Sequence, residues 1–224
     1  MMTRPLSFVL LLGTLLASST GRAGAPSFEQ LLQEGGLEFT PPAGLVAMPV
    51  EPDFVMPYQA RYRSRDGELE VRYAIRPLAR MEIDYEDPHN AAPAPNDLFN
   101  MLFRALSETL AHGHEVISQE YPLATAHTIF RAGWASAGVF DLAKGISARY
   151  RQGMLIAIHQ NDKADAYSLI LTNDLGKARQ RILALRDSLR FRSLDRDINR
   201  PPSPEALQRL PMIPETGGTA ASGH

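Results

Sequence analysis

Hydrophobic and polar positions along the chain follow two periods. Between Tyr58 and Pro77, Tyr58, Ala60 and Tyr62 alternate with Gln59, Arg61 and Arg63; beyond Asp66-Gly67, Leu69, Val71, Tyr73 and Ile75 alternate with Glu68, Glu70, Arg72 and Arg76. Period two on both sides of an Asp-Gly turn predicts a β-hairpin. One register sets Arg65 opposite Glu68 and Arg63 opposite Glu70; the other sets Arg63 opposite Glu68 and Arg61 opposite Glu70. Both pair opposite charges, so these arginines read as a solvated, self-compensating sheet face rather than an anion site.

The period then lengthens. Leu98, Phe99, Leu102, Phe103, Leu106 and Leu110 recur at helical spacing, with Asn96 or Asp97 as cap, an end near His112 and Gly113 as the stop. From Glu115 the pattern is β again: 115–121, 128–141 with Trp134 and Phe140, 147–160 and 166–172. Residues 154–158 are apolar at every position, which predicts a central strand covered on both faces. Asn161-Asp162-Lys163 turns the chain into a second hairpin. A last helix capped by Asn173 or Asp174 carries the stripe Leu175, Ala178, Ile182, Leu185 and Leu189.

The ends read differently. Arg4, the apolar run Leu6 to Leu16 and small residues through Ala23 have the order of a secretory signal peptide, cut after Ala23; the run is too short for a permanent membrane span. Without a cysteine, neither lipid anchoring at the cut nor a disulfide framework can form. The expected organisation is a signal peptide over 1–23, an N-terminal linker over 24–36 in which Ser27 to Glu34 form one helical turn, one globular α+β domain over 37–193, and a flexible Pro/Gly-rich tail over 194–224.

The element order resembles the PsbP-like fold. The resemblance is carried by Phe39-Thr40-Pro41-Pro42-Ala43-Gly44-Leu45, similar to the F-x-x-P-x-G opening of that family, by the second hairpin (153–158 with 167–171), and by Ile182 to Phe191 ending in Ser188-Leu189-Arg190-Phe191. It implies a three-layer α/β/α sandwich around an antiparallel sheet, and a binding or assembly role without naming a ligand. No functional residue of the family carries over.

The formal charge is −2, and losing Arg4 and Arg22 with the leader makes the balance more acidic, which disfavours nucleic acid as a partner. The acidic run Glu82, Asp84, Glu86 and Asp87 lacks calcium-loop spacing. Trp134-Ala135-Ser136-Ala137-Gly138 is the nearest approach to a nucleophile motif and lacks its setting. His112, His114 and Glu115 straddle a helix end, and His159 falls near Asp162 and Asp165; metal chemistry would need His89, His112, His114, His127 or His159 to converge. No catalytic, cofactor-binding or metal residue is therefore assigned. Tyr58, Tyr62, Tyr73, Trp134 and Tyr150 are placed on one sheet face. The expectation is a periplasmic or secreted, non-enzymatic protein that binds a protein partner through a sheet face or its tail. A hydrolase or metal-dependent enzyme built from the scattered histidines and acids, and a small-ligand carrier, are the alternatives.

Overall fold

A computed structural model describes residues 25–83 and 93–192. The signal peptide, most of the acidic run and the tail lie outside the described residues.

Seven strands form one antiparallel sheet: β2 (Leu45–Ala47), β3 (Ala60–Ser64), β4 (Leu69–Pro77), β5 (Val116–Glu120), β6 (Trp134–Asp141), β7 (Gln152–Gln160) and β8 (Ala164–Thr172), in the spatial order β2-β3-β4-β8-β7-β6-β5. A two-stranded sheet pairs β1 (Leu37–Phe39) with β9 (Leu189–Phe191). The helices are α1 (Phe28–Glu34), α2 (Phe99–Ala111) and α3 (Leu175–Leu185). The fold is α+β, with a large antiparallel sheet flanked by helices.

Alternation divides the sheet residues between two cores. One face presents Val71, Tyr73, Ile75, Ile156, Ile158 and Ile170, covered by α1, α3 and the small sheet. The other presents Leu155, Ala157, Tyr167, Leu169 and Leu171 beneath α2 and residues 54–58. This explains the all-apolar run in β7: both faces are covered, so neither parity can be polar. At Gly153 the two strands close up, and a Cβ there would lie 2.7 Å from the Phe140 ring.

The hairpin forms as predicted, in the register that opposes Arg63 and Glu70. Helix α2 buries Leu102, Phe103, Leu106 and Leu110 and stops where His112 (φ 40°) and Gly113 (φ 94°) turn left-handed. Asn96 does not cap it; its side-chain amide exchanges two hydrogen bonds with Asp162, tying the α2 approach to the β7–β8 turn. Asp174 does cap α3, accepting from the Lys177 amide.

Four expectations need correction. Residues 28–34, placed in a linker, form a helix, because Ser27 caps it and Leu31 is buried in the core. Residues 128–133 are not strand: after Pro122 the chain is helical through Phe130, a turn that buries Ala126 and Phe130 four residues apart on one side. Leu189 belongs not to the α3 stripe but to β9, after Ser188 closes the helix by donating to the Leu185 carbonyl. The five aromatics do not share a face: Tyr62 and Tyr73 pack with one core, Tyr58, Trp134 and Tyr150 with the other.

Candidate functional site

The polar parity of the first hairpin is not solvated. Glu70 is fully buried, Arg72 is 3% exposed and Arg61 8%. The reason is the segment between β2 and β3, which has no periodic pattern but folds over these side chains with Phe54, Met56 and Tyr58. It is held by the Met48 amide on the Arg61 carbonyl and the Gln59 amide on the Tyr73 carbonyl.

Beneath it, three guanidinium groups converge on one carboxylate. Arg61 donates to both Glu70 oxygens, Nε to Oε1 at 2.9 Å and Nη2 to Oε2 at 3.0 Å. Arg63 Nε donates to Oε2 and Arg72 Nε to Oε1, each at 2.8 Å. Burial by itself would raise the Glu70 pKa, but hydrogen bonds from the three arginines outweigh it and hold the carboxyl below its usual range. Arg61 sits directly opposite Arg72 across the hairpin, a like-charge pair that the shared Glu70 makes tolerable.

A second carboxylate closes the cluster from outside. Glu51 reaches Arg61 Nη1 at 2.7 Å and Arg72 Nη2 at 2.9 Å, yet its side chain is 49% exposed. Its amide donates to the Tyr58 hydroxyl at 2.7 Å. The Arg72 guanidinium lies 4.0 Å from the Phe54 ring centroid and 4.9 Å from that of Tyr58, two rings in edge-to-face contact with each other, so it makes cation–π contacts as well as ion pairs. Its Nη1 is buried without a hydrogen-bond partner among the described residues. Three arginines face two acids, leaving the cluster one positive charge in excess.

The histidine reading resolves into a second buried group. His159 Nδ1 lies 2.6 Å from Asp165 Oδ1, its Nε2 lies 2.9 Å from the Asn161 side-chain oxygen, and Arg76 pairs with the other Asp165 oxygen. Phe99 stacks on the imidazole with centroids 4.3 Å apart. Burial, with a smaller push from Arg76, lowers the His159 pKa below its ordinary 6.5 against the opposing effects of Asn161, Asp97 and Asp162. The folded state therefore binds fewer protons than the unfolded state as pH falls past about 6.5. Stability is complete above that value and declines below it. Urea unfolding between pH 7.5 and 5 should show this decline, and His159→Gln should flatten it.

The other candidate residues do not assemble. His112 caps α2, His114 follows it, and His127 lies in the turn after Pro122; His89 is outside the described residues. Among the described residues no group of three or more histidines and acids could hold a metal ion. Ser136 of the W-A-S-A-G stretch is spent on the Gln119 carbonyl at 3.0 Å. A cleft of about 200 Å³ lies between the Pro41-Pro42 opening and Asp187, Ser188 and Arg190.

The sheet ends in two unequal edges. Strand β2 has three residues and is soon followed by Pro49. Strand β5 has five, with neither lysine nor proline, is likewise followed two residues on by Pro122, and among the described residues pairs with β6 alone. Register places Val71, Ile170, Met154, Val139 and Ile117 in one cross-strand row. The row begins fully buried and ends on β5, where Ile117 is 56% exposed.

No family model matches the chain, and no curated protein matches its sequence. Among solved structures, the chain is similar to the solution structure of cyanobacterial PsbP (CyanoP) from Synechocystis sp. PCC 6803, with 12% identity, 79% of this chain and 99% of that chain covered, and a TM-score of 0.43. Strands β1 and β9, which contain the start of the Phe39 to Leu45 motif and the end of the Ser188 to Phe191 segment, pair with each other.

Proposed function

We propose that the chain is an exported, non-enzymatic accessory protein that binds a protein partner along β5, in the periplasm or outside the cell. The observation that carries this reading is the apolar row that leaves the core and, among the described residues, ends uncovered at Ile117, on a strand whose outer backbone groups have no sheet partner there. Natural edges are blunted by charged side chains, proline or short length; β5 has no lysine or proline within it, and its one charged residue, Glu120, stands at its end. An extended partner segment gains main-chain hydrogen bonds there and continues the row with an apolar side chain. The exposed Glu115 and Glu120 favour a segment with basic flanks. Among the described residues no helix is long and apolar enough to cross a membrane.

The test is affinity retrieval from the extracytoplasmic fraction with wild-type, Ile117→Lys and Leu183→Lys proteins. Leu183 is also exposed, but on α3. A β5 partner should be recovered equally by wild type and Leu183→Lys and about tenfold less by Ile117→Lys, as for loss of a central contact. Equal recovery by all three would remove β5 from the interface.

A further inference from the structure

We infer that the arginine cluster under residues 49–58 is a binding site for a carboxylate of an acidic protein segment, and that Glu51 occupies it in the free chain as an exchangeable internal stand-in. Glu70 and Glu51 differ in kind. Glu70 is fully enclosed and accepts from all three arginines, so it is the fixed counter-ion. Glu51 bridges only Arg61 and Arg72, is half-exposed, and belongs to a segment without helix or strand. Rotating its side chain outward would free one N–H each of Arg61 Nη1, which also donates to the Pro49 carbonyl, and Arg72 Nη2, which also contacts Glu70, two donors positioned by Glu70 and by the Phe54 and Tyr58 rings.

An incoming carboxylate makes the same two charge-assisted bonds and so restores the charge balance that Glu51 provides. The one positive charge in excess supplies attraction beyond simple exchange. Val50 and Val55, next to Glu51 and Phe54 in the chain, are 42% and 46% exposed, apolar neighbours that suit a peptide with hydrophobic residues better than a free small acid. The site is on the opposite sheet face from the Ile117 row and at the β3–β4 end. It is therefore independent of the β5 reading.

The experiment titrates the mature protein with a fluorescein-labelled hexapeptide of alternating glutamate and leucine, with the same peptide carrying glutamine for glutamate, and with unlabelled sodium succinate as competitor. Glu51→Gln removes the internal carboxylate charge from a half-exposed position. It should bind the acidic peptide about tenfold or more tightly than wild type, more weakly at higher salt, with the arginine Nε–Hε NMR signals of Arg61 and Arg72 shifting. The glutamine peptide should not bind, and Ile117→Lys should leave peptide binding unchanged. Equal affinity of wild type and Glu51→Gln, no binding by Glu51→Gln, or shifts confined to other arginines would overturn the site. Competition by succinate at concentrations matching the peptide would overturn the protein segment as its ligand.

Discussion

Glu70→Gln should lower the unfolding free energy by about 3–5 kcal/mol, measured by urea denaturation at neutral pH. The side chain keeps its shape, so the loss is electrostatic. Arg61 and Arg72 are buried, and without the carboxylate their charges remain in a poorly hydrating environment with only Glu51 to balance them. An amide offers one acceptor oxygen where five close donor contacts now converge, and its NH2 meets donors. Glu51→Gln should differ by about 1 kcal/mol or less, because that half-exposed group has water as an alternative partner. The contrast between two glutamates that contact the same arginines is the informative result. Equal effects would mean that the cluster is not organised around Glu70.

Phe191→Ala should cost about 3–5 kcal/mol, read from the same unfolding curves. Phe191 is 1% exposed and sits opposite Leu37, itself fully buried, in the pairing that brings the two ends of the described chain together. That junction has further ties: the Thr40 amide donates to the Ser188 carbonyl, the Arg192 amide to the Gly36 carbonyl, and Arg192 Nε to the Leu37 carbonyl. Arg190 pairs with Glu38. The ring also completes the core beneath α1 and α3, so its removal leaves a cavity that the pinned strands cannot collapse to fill. A loss near 1 kcal/mol would show that β9 is peripheral to the core.

The hairpin, β7 and α2 were legible because each repeats one period over enough residues for the pattern to be unambiguous. The cluster was not. Arg61, Arg63, Glu70 and Arg72 occupy the positions that alternation assigns to solvent, and only the long-range cover by residues 49–58 makes them interior. Phe54, Met56 and Tyr58, spaced two apart after Pro52 and immediately before the hairpin, were the available sign that something apolar lies over that face. Residues 128–133 were misread because Thr128, Ile129 and Phe130 have strand propensity, while the burial of Ala126 and Phe130 on one side of a turn decided the structure. His159 was correctly placed beside Asp165, since a two-residue separation from each end of a tight turn brings opposite strand positions together.

The β5 reading is tested most directly by site-specific photo-crosslinking in cells that produce the protein, with benzoylphenylalanine introduced at position 117 or, as the comparison, at position 183. The expected result is a covalent adduct to one distinct polypeptide from position 117 and none from position 183, with the crosslinked residues of that polypeptide lying in an extended segment. No adduct from position 117, or an adduct only to a second copy of the same chain, would contradict an accessory role exerted on a different protein through β5.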